Sequence, residues 1–477
     1  MNTHLGFASS DPRVTVLNDK PVNTRGRYVL YWSQMFRRPA DNAALAFAIE
    51  RANALRLPCL VYEAVRPDYP FASDRFHTFL LEGARAMGLG LRARGLQHAF
   101  FLPRTADEAR GVVRKLVSHA ALVVSDDHPS FVCPIQNSAA ARFAECSYII
   151  VDDTTAIPMS LSGKAEFAAR TLRPKILKAR DFWLRPLDEP EPAVRATFDL
   201  PFHATPIADA TNDDIAALVA SCAIDHSVRA VAGTRGGADV AEERLIDFLE
   251  KGISGYGDRN EPSAPNTSRL SPYLHFGHIS ARGVALETLK ARAAGAGELA
   301  CDGFLEQLLV RRGLAFNYAE YVSAHTTFEP VPAWAKTTLA AHEADPRPWL
   351  ATRQELEDAH TPDELWNAAQ LELRARGIVH NYARMLWGKI PITWTPSAPE
   401  AFDHLVYLND KYALDGRDPD GYASIAWCFG VHDRPWPERA IFGTVRCMTT
   451  RSARSKLDFE GYMRTASTWR SEVSAKA

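Results

Sequence analysis

Three segments carry side chains whose types and spacing point to chemistry more than to packing. In Asn266-Thr-Ser-Arg-Leu-Ser271-Pro272-Tyr-Leu-His275-Phe-Gly277, the hydroxyls of Thr267 and Ser268 and the guanidinium of Arg269 precede a helix start at Ser271-Pro272. Ser as the cap with Pro at the first helical position is a favourable start, and the free amides of that end suit a phosphate. Capping accounts for Ser271 and Pro272 and leaves the rest of the cluster unexplained. In His380-Asn381-Tyr-Ala-Arg384-Met385-Leu-Trp387-Gly-Lys389, polar and charged groups interrupt what should be an apolar helix face. Asn409, Asp410, Asp415 and Gly416 follow within Tyr407–Tyr422. An amide, a carboxylate and a guanidinium together suit a heterocycle with many donors and acceptors.

Tryptophan is the unusual residue, with eight of ten after residue 330. Large rings in a helical region serve as core fillers and interface anchors. They also serve as stacking surfaces for a flat cofactor or for bases, and as oxidisable rings that pass electrons. Trp387 and Trp394 lie seven apart, two helical turns, but Pro391 intervenes and argues against one continuous face.

Other patterns carry less. Gly88-Leu-Gly90-Leu-Arg-Ala93 matches a dinucleotide fingerprint in form, yet it ends a helical stretch where the chemistry needs a strand-to-helix turn. His275 and His278 lack further ligands at suitable spacing, so no metal site is expected. The sequence contains no Walker loop, GxSxG elbow or HExxH.

The elements that must position these groups divide in two. Short β-rich runs at 28–32, 60–65, 99–102, 122–125 and 148–151 alternate with helical stretches near 42–55, 74–95, 106–118 and 138–145. Such alternation argues a parallel sheet covered by helices, an α/β domain over residues 26–153. Asp41 and Ser73 stand where N-cap oxygens are expected. Residues 154–240, crowded with prolines from Pro186 to Pro206, read as a connection with short helices. Residues 241–470 read as a helical domain, with amphipathic stretches at 240–251, 272–293, 302–323, 363–389 and 398–410.

Composition limits the class. The 477 residues are 46% apolar and 23% charged, ordinary for a globular chain, and no run approaches the length of a membrane span. The first residues (Met1–Ala8) lack the basic start and apolar stretch of a signal peptide. Seven dispersed cysteines without a CxxC fit reduced thiols in a cytoplasm. The net charge of −2 does not announce nucleic acid, but residues 164–185 carry seven Lys/Arg against Glu166 and Asp181, and residues 430–477 carry nine against five acids. Separate basic stretches present a basic face to phosphates, or a merely solvated surface.

In order along the chain, eight segments resemble the class II cyclobutane-dimer DNA photolyases of the photolyase/cryptochrome family. They are Tyr28–Trp32, Ala169–Lys175, Leu270–Gly277, Phe304-Leu-Glu306 with Val310-Arg-Arg312, Asp363–Asn367, His380–Lys389, Leu408–Tyr422 and Gly430–Asp433 with Trp436. The resemblance implies an α/β domain, which leaves open a second, antenna chromophore, and a helical domain that binds FAD, active as reduced FADH⁻. It implies a monomer that repairs UV-damaged DNA by light-driven electron transfer to a flipped-out pyrimidine dimer; the alternative within the family is a cryptochrome-like photoreceptor without repair.

Site residues follow from the same resemblance. Tyr256 with Thr267, Ser268, Arg269, Leu270 and Ser271 would hold FAD through its phosphates. Asn381, Arg384, Trp387, Asn409, Asp415 and Gly416 would surround its rings, Asn409 beside flavin N5 and Arg384 paired with Asp415. Trp387, Trp366 and Trp394 would relay electrons. Glu306, as a buried protonated carboxyl among Phe304, Leu305, Leu308 and Leu309, would face the dimer with Met385. Trp427 and Trp436 would form apolar walls or stacking surfaces, and Arg439, Arg446 and Arg451 would hold DNA phosphates or fill the gap that the flipped lesion leaves. The chain departs from the family pattern at Gly313, usually an acid, at Asp420, usually an amide, and in a shorter Trp427–Gly430 segment.

Overall fold

A computed structural model describes residues 4–474 except 9 and 265, so Met1–Thr3 of the N-terminal reading and Lys476 of the basic C-terminal stretch lie outside the described residues. Two compact units divide the chain. The first comprises Met1–Gly163, Ile176–Asp247 and Arg269–Ala294, and the second Lys164–Lys175, Phe248–Ser268 and Gly295–Ala477.

The first unit is built on six strands: β1 (Val14–Val16), β2 (Tyr28–Ser33), β3 (Cys59–Ala64), β4 (Gln97–Phe101), β5 (Ala120–Asp127) and β6 (Tyr148–Asp152). Their order is β1-β6-β5-β2-β3-β4, with β1 antiparallel to β6 and the other pairings parallel. Every residue of central β2 is buried, as expected where helices cover both faces of a parallel sheet. Edge strand β1 was not legible in the sequence, because three residues, one half-buried and two exposed, show no period. Against this sheet pack Phe198 and Phe202 of the proline-rich stretch, edge-on to Tyr28 at 5.0 Å and to Tyr62 at 5.8 Å.

Local chemistry corrects several expectations. The cap of helix Ala43–Leu55 is Asn42, whose Oδ1 accepts from Leu45 N at 3.0 Å, and not Asp41. Asp41 instead takes a positive φ of 48° and pairs with Arg282 at 2.5 Å. Ser73 precedes helix Asp74–Ala93 without a capping hydrogen bond. Gly88 and Gly90 lie inside that helix, and side chains added there would meet His98 and Pro39, so they are close-packing positions. Buried His278 stacks on Phe79 at 4.9 Å and accepts from Gly237 N through Nδ1 at 3.1 Å. The expected helix over 272–293 is two, Ser271–His275 and Ala281–Ala293, parted by Gly277 with φ 66°. The cap of the first is Leu270, and Ser271 is its first helical residue. Within the connection, Ala169–Trp183 forms a fifteen-residue helix despite Pro174, longer than the short helices expected.

The second unit is helical. The stretch expected as one helix over 302–323 consists of Glu298–Leu305, a π-helical turn Glu306–Arg311 and Arg312–Tyr321. The stretch over 363–389 splits into Glu364–Arg376 and Asn381–Lys389, because Gly377 ends the first with φ 67°. Helices Ala398–Tyr412, Pro419–Cys428 and Glu460–Ser474 follow. Phe402, Phe328 and Phe429 form part of its core, with ring separations of 5.3 to 5.9 Å. Among the described residues, no helix is long and apolar enough to cross a membrane.

Candidate cofactor and substrate site

A cavity of about 440 Å³ opens in the second unit. Two helices give it their polar stripes. Asn381, Arg384, Met385 and Gly388 line it from one, at spacings of three, four and seven that share a helix face. Asp420, Ser424 and Trp427 line it from the other with the same spacing. Gln307 and Arg311 of the π-helical turn, together with Arg312, His432 and Arg446, complete the wall. A π-turn offsets side-chain directions relative to an α-helix and is frequent at functional sites.

The interrupted helix face thus finds its use. Arg384 Nη1 donates to both Asp415 oxygens at 3.1 and 3.0 Å, and Nη2 donates to Asn409 Oδ1 at 2.5 Å. Burial works against the Arg384 charge, but Asp415, with Asp420 and Asp418, outweighs it and pushes its pKa up. Asn409 Nδ2 in turn donates to Asp410 Oδ1 at 3.1 Å, and Asp410 accepts from Tyr422 OH at 2.8 Å. The guanidinium is therefore fixed by two partners on a single chain segment. Gly416 belongs to the same turn, where an added Cβ would lie 2.6 Å from Asn409 O. Asp420 differs from these acids. Its carboxylate makes no hydrogen bond or ion pair among the described residues; the side chain reaches solvent where it borders the cavity, and the loss of part of its hydration against the cavity wall, with the Asp418 charge, pushes it up to about 6.

Behind the cavity lie stacked indoles. Trp387, in the wall, is parallel to Trp366 with centroids 6.4 Å apart and an interplanar angle of 8°. Trp394 meets Trp366 edge-on at 5.5 Å. All three are buried, at 2%, 0% and 4% exposure. Trp387 Nε1 donates to Gln370 Oε1 and Trp366 Nε1 to Trp387 O, both at 2.9 Å. Asp363 caps the Trp366 helix by accepting from Leu365 N and Trp366 N at 3.0 Å. The Gly377 break folds the two helices together, so residues 21 apart in sequence stack. Pro391 ends the Trp387 helix in a 3-10 turn, and Trp394 touches Trp366 rather than sharing a face with Trp387.

Around Trp427 and Arg446 of the cavity wall, aromatic rings and cations alternate. The Arg446 guanidinium lies 5.5 Å from the Trp427 ring centre and 4.7 Å from that of Trp436, and Arg434 covers Trp436 at 5.5 Å. Lys389 Nζ sits 4.8 Å from the Trp427 centre, donates to Cys428 O at 2.6 Å, and is lowered to about 8 by burial.

Several expected site residues stand elsewhere. Glu306 does not occupy the apolar setting expected for a protonated acid. Arg173 grips it through two hydrogen bonds, Nε to Oε2 at 3.0 Å and Nη2 to Oε1 at 2.6 Å, and Arg311 Nε lies 3.6 Å away. This fork-to-fork pair sets a guanidinium, and not apolar side chains, against both carboxyl oxygens. Tyr256 is buried against Phe304 at 5.2 Å and Phe248 at 5.9 Å, beneath Arg259. Thr267 and Ser268 are half-buried at the end of a second-unit stretch; Arg269, exposed with φ 52°, begins the next stretch of the first unit with buried Leu270 and exposed Ser271. Arg439 and Arg451 are exposed and outside the cavity wall. Conversely, Gln307, Ser424 and His432 line the cavity without having been singled out; the i, i+4 relation of Ser424 to Asp420 was the one available signal.

The chain thus contains a mixed-sheet unit and a helical unit with a tryptophan-walled cavity, and this fold is found in known structures. The structure of a bacterial class III photolyase from Agrobacterium tumefaciens matches with a TM-score of 0.67 at 17% identity, over 92% of this chain and 86% of that one. No family model matches the sequence. The deoxyribodipyrimidine photo-lyase of Methanothermobacter thermautotrophicus is 37% identical over 464 residues, covering 94% of this chain and 97% of that protein. That of Oryza sativa subsp. japonica is 37% identical over 456 residues, covering 92% and 87%. The chain belongs to the deoxyribodipyrimidine photolyase family and is an enzyme of that kind.

Proposed function

We propose that this protein is a class II-type photolyase that binds FAD in the helical unit and splits cyclobutane pyrimidine dimers in DNA under light. The observation that carries the reading is the cavity wall, where Arg384 is clamped by Asp415 and Asn409 and Trp387 backs onto stacked Trp366. The wall suits a flat heterocycle: its 440 Å³ is within the usual range for ligand sites, it offers donors from Asn381 and Arg384, and Asp420 supplies an acceptor without a protein partner. When bound and reduced, FAD supplies on excitation one electron that opens the cyclobutane ring and is then returned.

The chain's own residues position and shield. Asn381, Arg384, Asn409, Asp415 and Gly416 hold the ring system, with Tyr256, Thr267 and Ser268 toward the phosphates. Met385 and Trp427 wall the cavity and exclude water from the lesion, which must leave the duplex to enter. The alternating Trp427, Arg446, Trp436 and Arg434 suit unstacked bases and phosphates, and exposed Arg439 and Arg451 add phosphate contacts. Trp387, Trp366 and Trp394 carry electrons inward. Free thiols at all seven cysteines favour a reducing cytoplasm.

The test is direct. Denaturing the purified protein should release about one FAD per chain, and illuminating the reduced protein with dimer-containing DNA should restore thymine. No flavin after reconstitution ends this reading, and flavin without restored thymine turns it to a light-sensing relative.

A further inference from the structure

The stack of indoles does not end at Trp394. Trp349 meets Trp394 edge-on, with centroids 5.6 Å apart and an interplanar angle of 83°. This spacing matches the 5.5 Å step between Trp394 and Trp366. Two backbone contacts hold the segment there: Ala351 N donates to Trp394 O at 2.8 Å, and Arg347 Nε donates to Thr395 O at 3.3 Å. The surroundings change along the row. Trp387, Trp366 and Trp394 are buried, whereas Trp349 is half-buried beside exposed Leu350.

We propose that Trp349 is the outer terminus of the tryptophan chain, the ring through which electrons enter the protein. The inference rests on the cavity being the FAD site. Its physical basis is where a proton can go. A tryptophan that has lost an electron becomes a strong acid at its indole N–H. Trp387 and Trp366 commit that N–H to an amide oxygen and a carbonyl, neither of which is a base. Neither the Trp394 N–H nor the Trp349 N–H has a partner among the described residues, but the Trp394 ring is 4% exposed whereas the Trp349 ring is half-buried and reaches solvent. One electron passes from Trp349 to oxidised Trp394, which returns to its neutral form. The Trp349 radical cation then releases its N–H proton to water, which blocks return of the electron. A solution thiol donates a hydrogen atom to the neutral Trp349 radical and restores it, and two thiyl radicals couple to a disulfide.

Three proteins with oxidised FAD bound, wild type, Trp349→Phe and Trp349→Tyr, should be compared by transient absorption and by steady photoreduction across a range of dithiothreitol. In Trp349→Phe, the long-lived deprotonated tryptophan radical should be lost, and photoreduction should fail at low thiol. Trp349→Tyr should restore a long-lived species with the spectrum of a tyrosyl radical, which a packing role for Trp349 would not produce. Under illumination, a nitroso spin trap should label Trp349 in peptide maps of the wild type. Wild-type radical lifetime and thiol dependence in Trp349→Phe, or a trap adduct on Trp394 in the wild type, would place the terminus at Trp394 and overturn the proposal. Trp387→Phe is the control for the underlying reading. If it photoreduces as wild type does, the cavity assignment and the proposal fall together; if it does not, a wild-type result in Trp349→Phe refutes the terminus alone.

Discussion

Replacing Trp366 with Phe separates the packing role of the stack from its redox role. Trp366 is fully buried, so a phenyl ring leaves a void of about 40 Å³, worth about 1 kcal/mol at ~24 cal/mol per Å³. A second cost comes from the Trp387 carbonyl. Its helical partner four residues on would be the amide of residue 391, but that residue is Pro391 and has no N–H. The Trp366 indole fills the vacancy at 2.9 Å, and leaving this buried carbonyl without a donor costs about 1–2 kcal/mol. The variant should therefore lose about 2–3 kcal/mol in urea unfolding followed by circular dichroism. Photoreduction of oxidised flavin should be abolished, because the link between Trp387 and Trp394 is gone. A loss below about 1 kcal/mol would refute the carbonyl argument, and retained photoreduction would refute the relay through Trp366.

Two further perturbations test the charges. The Asp420 carboxyl, which reaches solvent at the cavity, rises from 3.8 to about 6 through partial loss of hydration against the cavity wall and the Asp418 charge, so the folded state holds its proton longer than the unfolded chain does. Its contribution is full below the unfolded value and is lost as pH rises through about 6, so the wild-type melting temperature should fall across that window relative to Asp420→Asn; parallel profiles would show that Asp420 does not titrate there. Glu306→Gln should release Arg173 from its bidentate partner, strengthen DNA binding in the dark and steepen its log–log salt slope by about 0.9, the increment for one phosphate contact. Anisotropy titrations at several salt concentrations check this, and an unchanged slope would mean that the freed guanidinium does not meet phosphate.

How much was legible in the sequence follows from the range of each interaction. The α/β alternation was readable because strand and helix periods are local, and five of the six strands fall within a few residues of their expected positions. The polar stripe of Asn381, Arg384 and Met385 was readable for the same reason, since a helix brings residues three and four apart onto one face whatever surrounds it. The sequence also named the tryptophans. Their use as a row depended on tertiary structure: Gly377 had to end one helix before Trp366 could stack on Trp387, and Trp349 reaches Trp394 across 45 residues through backbone hydrogen bonds that no pattern announces. Glu306 shows the limit most plainly. Its apolar neighbours in sequence suggested a protonated acid, but they are divided between the helix ending at Leu305 and the π-helical turn that starts at Glu306, and the group facing the carboxyl is Arg173, 133 residues away. The identity of each charged group was set by the sequence, whereas its partner, and hence its protonation and chemistry, was decided only when the chain folded.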